Sequence, residues 1–175
     1  MAVRAPKQGS KKHVSRGVQY AALPYRWADG AVQILLVTSR ETGRWVLPKG
    51  WPMARKKPYA AAGREAMEEA GVTGKIRKTP IGSYVYLKRL KDGGALVCTV
   101  KVFPMEVARQ LKRWPEQEQR TPQWFTPEDA AQGVHEPDLA ALIRGFGAAP
   151  PPPLPKTKTK AKAKAKSAPP VQPEG

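Results

Sequence analysis

The sequence is poor in the residues that most often carry chemistry alone. It has one cysteine, Cys98, and two histidines, His13 and His135, in 175 residues. A single cysteine excludes an intrachain disulfide and fits a reducing, cytoplasmic setting. Cys98 lies in ALVCTVKVF, a strand-like run with no histidine near it, and reads as a small buried hydrophobe. His13 and His135 have no partners at metal-ligand spacing and read as incidental. No apolar run approaches the ~20 residues of a membrane span, so no membrane partner is expected. The N-terminus lacks the apolar centre of a secretory signal. Acid is also scarce: 14 Asp and Glu stand against 31 Lys and Arg, a formal charge of +17.

That charge is unevenly spread. Residues 1–16 hold five Lys or Arg and no acid, with Pro6 and Gly9, and read as a flexible basic arm rather than a transit peptide. Residues 148–175 form a Pro-, Lys- and Ala-rich tail whose only sizeable apolar residues are Leu154 and Val171. Such a composition cannot offset the entropy of ordering, so the tail is expected to be disordered. It serves either to solubilise the chain or to grip nucleic acid or another polyanion weakly. Between the tails, 17–147 is long enough for one domain with a real core. It stays moderately basic, which suits an anionic partner, either a phosphorylated small molecule or nucleic acid.

The periodicity of that domain is mixed. Residues 18–27 and 31–40 read as strands joined by a turn at Asp29-Gly30. GRWVLPKG reads as a short strand ending in a loop. Pro58–Ala70 reads as a helix, with Pro58 suited to its first turn and Gly71 to its end. Residues 76–90 and 95–107 are β-rich runs joined at Lys91-Asp92-Gly93-Gly94. A short strand at 123–125 precedes Thr126-Pro127-Glu128-Asp129, a cap and acidic first turn. A last helix is expected over about 136–146. Strands and helices interleave without regular alternation, which predicts an α/β fold with a mixed sheet and helices on its faces.

The scarce acid is concentrated. On the helix, Glu65, Glu68 and Glu69 fall at i, i+3 and i+4, on one face and within ~5–6 Å at Cβ. Three like charges destabilise an isolated helix, and a divalent cation would relieve them. Mg²⁺ takes hard oxygen ligands, keeps several waters and accepts substrate phosphate oxygens. The bland alternative is a solvated acidic face with Arg64 paired to Glu68 at i+4.

The wider segment decides in favour of the cation. KGWPMARKKPYAAAGREAMEEAGV follows the Nudix box, G-x5-E-x7-R-E-U-x-E-E-x-G-U with U aliphatic, from Gly50 through Arg64-Glu65, Ala66, Glu68-Glu69 and Gly71 to Val72. One position departs: the first Glu of the box falls on Lys56, where it would face Arg64 with like charge. QYAALPYR, ILLVTSRETGRWVLPKGWP and WPEQEQRTPQWFTPEDAA extend the likeness over roughly 17–146. The chain thus resembles Nudix hydrolases, in the branch similar to diphosphoinositol polyphosphate phosphohydrolases.

The resemblance implies an α/β/α sandwich whose box forms a loop–helix–loop. It implies hydrolysis of a phosphoanhydride bond with Mg²⁺ or Mn²⁺. Glu65 and Glu69 would be the main metal ligands, Glu68 a ligand or orienting partner, and the Gly50 carbonyl a further ligand. Arg64 would orient the glutamates. Of the two acids in WPEQEQR, Glu116 ranks ahead of Glu118 as the carboxylate outside the box. Arg40, Arg44, Lys49 and Arg120 flank these loops and are the expected grip on phosphate. Lys88, Arg89 and Lys91 would extend the positive surface. A diphosphoinositol polyphosphate-like substrate is favoured. Pro48-Lys49-Gly50 keeps a diadenosine polyphosphate open, with Trp45, Trp51, Trp114 or Trp124 able to stack on adenine. A non-catalytic domain binding polyanion or RNA is the reading from another class.

Overall fold

A computed structural model describes residues 15–90 and 93–152. Most of the expected arm and tail, together with His13 and Lys91, lie outside the described residues. The element order is β1 (Ser15–Ala28), β2 (Ala31–Thr38), β3 (Trp45–Val46), β4 (Lys49–Gly50), α1 (Pro58–Ala70), β5 (Val72–Ile76), β6 (Gly82–Arg89), β7 (Ala95–Gln110), β8 (Pro122–Phe125), α2 (Pro127–Gly133) and α3 (Pro137–Ala148). Ala148 closes α3, and the Pro152 carbonyl beyond it accepts a hydrogen bond from Arg77 at 3.2 Å.

One mixed sheet organises the domain. The two longest strands, β1 and β7, run parallel at its centre, and every other pairing is antiparallel. Each central strand changes partner along one edge. β1 pairs β4 at Tyr20–Ala21 and β2 from Tyr25 onward. β7 pairs β6 up to Val102 and β5 from Met105 onward. Pro24 and Pro104 fall in these two gaps, which is how central strands accommodate residues without a ladder N–H.

The two faces carry separate cores. Ala62, Ala66 and Ala70 of α1 pack on Ala22, Leu35, Val37, Phe103 and Met105. On the other face α2 and α3 bring Ala130, Leu139, Ile143 and Phe146 onto Leu23, Tyr25, Ile34, Leu36 and Val102. This is the α/β/α sandwich expected from the sequence. Cys98 is fully buried in β7, as a small hydrophobe should be.

Two readings of the chain are corrected. Residues 76–90 are not one run: β5 begins at Val72, directly after the helix, and Pro80 lies in the connection to β6. GRWVLPKG yields two short bridges, β3 and β4, on different strands. Pro48 between them lacks a donor, while its carbonyl accepts the Ala22 N–H at 3.1 Å.

Candidate active site

The helix that carries the glutamates is fixed at both ends by its own sequence. Pro58 occupies its first turn and Gly71 ends it in the left-handed region at φ 66°. The carbonyls left unpaired at the C-terminal end are then taken by a loop from far along the chain. Gln110 donates to Ala70 O at 2.8 Å, Leu111 N–H to Gly71 O at 2.7 Å and Glu116 N–H to Glu68 O at 3.0 Å. Trp114 lies so close over Gly71 that a Cβ there would overlap the indole. The 111–120 loop is thereby pinned to the acidic end of α1.

A cleft of about 810 Å³ opens between this loop, the 39–53 segment and β6. It gathers Gly50, Glu65, Glu69 and Glu116 with Arg40, Arg44, Lys49 and Arg120. Arg64 and Glu68 are not among its lining: they pair with each other at 2.6 Å across one helical turn. The Gly50 backbone meets the Glu65 carboxylate so closely that a side chain at 50 would displace it. Gly50 is therefore needed here for close approach. Glu118 is exposed and outside the cleft, whereas Glu116 is half-buried in it.

Arg120 is the hub of the site. Its side chain is 8% exposed and donates to Glu69 at 2.5 Å, to Glu116 at 2.6 Å and to the Thr38 carbonyl at 3.0 Å. Arg40 reaches the second Glu116 oxygen at 3.7 Å. The Lys49 N–H donates to Glu69 at 3.1 Å. Burial nevertheless pushes the Glu69 carboxyl up to about 7, against the pull of Arg120 and Lys49. Burial also raises Glu65, helped by the negative charges of Glu68 and Glu116. The Lys49 ammonium is lowered by burial, opposed by Glu69, and stands 5.3 Å over the Tyr86 ring.

Among the described residues, no three acidic, histidine or cysteine side chains converge into a ready-made metal shell. Glu68 is turned to Arg64 and Glu69 to Arg120. The donor chemistry still fits a hard divalent cation: carboxylate oxygens converge on one cleft, and their raised affinity for protons marks negative charge in want of a counter-ion. Glu65, Glu69 and the Gly50 carbonyl would hold it, and Glu68 would join by leaving Arg64.

Matched against family models, residues 20–146 fit the NUDIX domain. The chain belongs to the Nudix family. It is 32% identical over 111 residues to Nudix hydrolase 13, mitochondrial, of Arabidopsis thaliana, covering 59% of this chain and 54% of that protein. It is 31% identical over 117 residues to diphosphoinositol polyphosphate phosphohydrolase 3-beta of Bos taurus, covering 64% and 67% respectively. The chain thus spans only about half the length of the plant relative. The Nudix fold itself is shared with a C. elegans Ap4A hydrolase crystal structure, at 21% identity and a TM-score of 0.56 over 75% of this chain and 96% of that one. Nudix hydrolases generally use divalent metal ions, which agrees with the donor set here. No helix among the described residues is long and apolar enough to cross a membrane.

Several cleft residues were not assigned a role from the sequence. Gln19, Tyr84 and Tyr86 line it from β1 and β6, and Glu136 from the start of α3. They sit on strands and at a helix end with no motif around them, so only the tertiary fold assembles them. Lys56 is exposed, and its N–H closes a turn onto Met53 O at 3.1 Å, beside Arg55 at φ 61°. The loop is thus held by its backbone where the box would place a carboxylate. His135 is exposed outside the cleft.

Proposed function

We propose that this chain hydrolyses a phosphoanhydride bond in a polyphosphorylated small molecule, using Mg²⁺ or Mn²⁺. The observation that carries the reading is one cleft holding buried Glu69 and half-buried Glu65 and Glu116 beside a set of cations. Glu65 and Glu69, with the Gly50 carbonyl, hold the metal, and Glu68 joins or orients them. A divalent cation held there would supply neutralisation of phosphoryl oxygens and activation of a water. Arg64 holds Glu68. Glu116, outside the box and held by Arg120 at 2.6 Å, accepts a proton. Arg40, Arg44 and Lys49 take the substrate's remaining phosphates, and Arg120, buried against Glu69 and Glu116, holds the carboxylates. A cytoplasmic location remains the reading of the single cysteine.

Two substrate classes fit that set of cations. The likeness to the bovine protein and the density of positive charge support a diphosphoinositol polyphosphate. The aromatic wall of the cleft supports a dinucleoside polyphosphate. A binding module without catalysis has no use for carboxylates gathered in the cleft, and the basic tail it would employ lies outside the described residues.

The test is phosphate release with Mg²⁺ or Mn²⁺ from a diphosphoinositol polyphosphate, diadenosine tetraphosphate, a nucleoside triphosphate and ADP-ribose. Glu69→Gln should lower kcat by at least about a hundredfold, the scale of removing one transition-state contact, without changing the far-UV spectrum. A Glu69→Gln protein with full turnover would refute the metal assignment.

A further inference from the structure

A second cavity, of about 650 Å³, lies on the α3 face of the sheet and shares no lining residue with the cleft. Asp138, Ala141, Leu142, Gly145 and Ala149 line it, three or four residues apart, so it follows one stripe of α3 along its length. Ile81 and Pro104 face them, where β7 changes partner from β6 to β5. The groove is open: Ile81 is 38% exposed, and a Cβ at Gly145 would meet nothing within 4 Å. We propose that this groove is the docking site of the chain's own segment 153–156, and that docking delivers the lysine run behind it to the mouth of the cleft.

The chain leads into the groove from one end. Pro151 lines it, and Arg77 donates from Nη2 to the Pro152 carbonyl at 3.2 Å. Pro153, Leu154, Pro155 and Lys156 come next. Such a segment suits an apolar groove. Proline has no N–H to strand there, and its fixed φ lowers the entropy lost on docking. Leu154 is the only sizeable apolar residue before Val171, and Leu142, Phe146 and Ile81 offer it an apolar wall. The far end of the groove has the opposite chemistry. Asp138 is exposed there, with no ion pair among the described residues. Lys156 is the first base after Pro152. Four residues in polyproline geometry reach about 12 Å, against about 16 Å of helix from Ala149 back to Asp138, and the lysine side chain covers the difference. The tether keeps the effective concentration high, so a modest affinity is enough.

The direction gives the docking its use. Glu136, two residues before Asp138, lines the cleft. A tail that leaves the groove at Asp138 therefore arrives where the cleft opens. Six lysines alternate with small residues from 156 to 166, and they would join Arg40, Arg44 and Lys49 in holding phosphate. The groove and its occupant stand apart from the hydrolase reading, since docking needs no turnover.

Methyl NMR on the full chain tests the docking directly. Leu154 methyls should show nuclear Overhauser effects to Leu142 and Ile81. Gly145→Leu fills the groove from the helix and should abolish them, with a thermal melt to confirm the fold. Leu154→Ser should shift the Leu142 and Ile81 signals. Delivery has its own readout. Cys98 is fully buried, so a nitroxide placed through Lys162→Cys marks the tail. It should broaden the Glu136 and Tyr86 amides, and Leu154→Ser should restore them. Inorganic tripolyphosphate with Mg²⁺ should bind Leu154→Ser about threefold more weakly than wild type, the scale of exposed ion pairs. Absence of the Leu154 effects, with Leu142 and Ile81 unmoved by Leu154→Ser, would overturn the docking. Leu154 effects that arise between differently labelled chains in a mixed sample would overturn it too, and give the groove to a second copy. Docking without broadening at Glu136, or with tripolyphosphate bound equally by both proteins, would overturn the delivery. Failure of the hydrolase reading looks different: no turnover of any substrate, with the Leu154 effects intact.

Discussion

Two Glu–Arg pairs in this domain share their chemistry and differ in where they sit. Glu128 and Arg144 meet at 3.0 Å on the surface of the α2–α3 layer, with side chains 56% and 48% exposed. Glu69 and Arg120 meet at 2.5 Å in the cleft, 7% and 8% exposed. The guanidinium hydrogen bond draws the exposed carboxyl down to about 2. The buried carboxyl rises to about 7 despite its closer partner. The geometry of the pair therefore does not set the charge state; loss of water does, and a single guanidinium does not restore it. A surface pair is complete in itself. The buried one is a charge deficit, and a site that binds cations is where such a deficit is useful.

The largest effect should come from removing each arginine in turn. Arg120→Ala leaves Glu69 buried and unpaired, which costs about 3–5 kcal/mol for a charged group. Glu69 escapes part of that cost by taking a proton, so the loss should be greater at pH 8 than at pH 5.5. Arg144→Ala should leave the denaturation midpoint unchanged at either pH, as exposed pairs commonly contribute nothing measurable. Urea denaturation with a chelator present measures all four. Equal losses for the two variants would erase the distinction between the pairs.

The pH dependence sharpens the same comparison, because the two carboxyls have opposite signs. Glu69 is raised from 4.5 to about 7 in the fold. Between those values the folded protein keeps a proton that the unfolded chain has lost. Stability from Glu69 is thus full below about 4.5 and is lost as pH rises through 7, by roughly 3 kcal/mol. Glu128 is lowered to about 2, so the little that solvent screening leaves of its contribution is present above 4.5 and lost as pH falls toward 2. Stability with chelator should therefore decline from pH 5 to 7.5, and Glu69→Gln should flatten that decline. Saturating Mg²⁺ should also reverse it, since the cation binds only the carboxylate. A rising profile in the chelated wild type would mean that Arg120 wins over burial after all.

What the sequence made legible follows the distance over which each signal acts. Pro58, the alanine-rich run and Gly71 lie within one helix, and its bounds are those expected. Thr126 caps α2 by accepting the Asp129 N–H, as the four-residue signal requires. The box places Glu65 against Gly50 through a local loop–helix–loop. Arg120 is another matter: read as a phosphate contact, it is also the buried link between Glu69 and Glu116, 51 residues beyond the former. Nothing near Arg120 announces burial. The parallel pairing of β1 with β7 is equally silent, since Ser15 meets Leu96 only after the intervening strands have formed. Trp51 is one of four tryptophans the sequence leaves able to stack, and only the fold seats its ring against Gly17.

The smallest expected effect concerns Lys56, the departure from the box. Its side chain is exposed and the turn is closed by its backbone, while Arg64 is already held by Glu68 at 2.6 Å. Lys56→Glu gives Arg64 a second carboxylate to choose from. If Arg64 shifts toward it, Glu68 is released toward the cleft and metal affinity should rise. Exchanging partners between half-exposed groups involves at most about 1 kcal/mol, so the gain should stay below about fivefold in the Mn²⁺ dissociation constant. Titration of Mn²⁺ into wild type and Lys56→Glu measures it directly. A gain of a hundredfold would mean that Lys56 withholds Glu68 from the metal, and that the surface position governs the buried one. A gain within the smaller range keeps the two separate: the exposed end of the network adjusts the site, and buried Glu69 with Arg120 determines it.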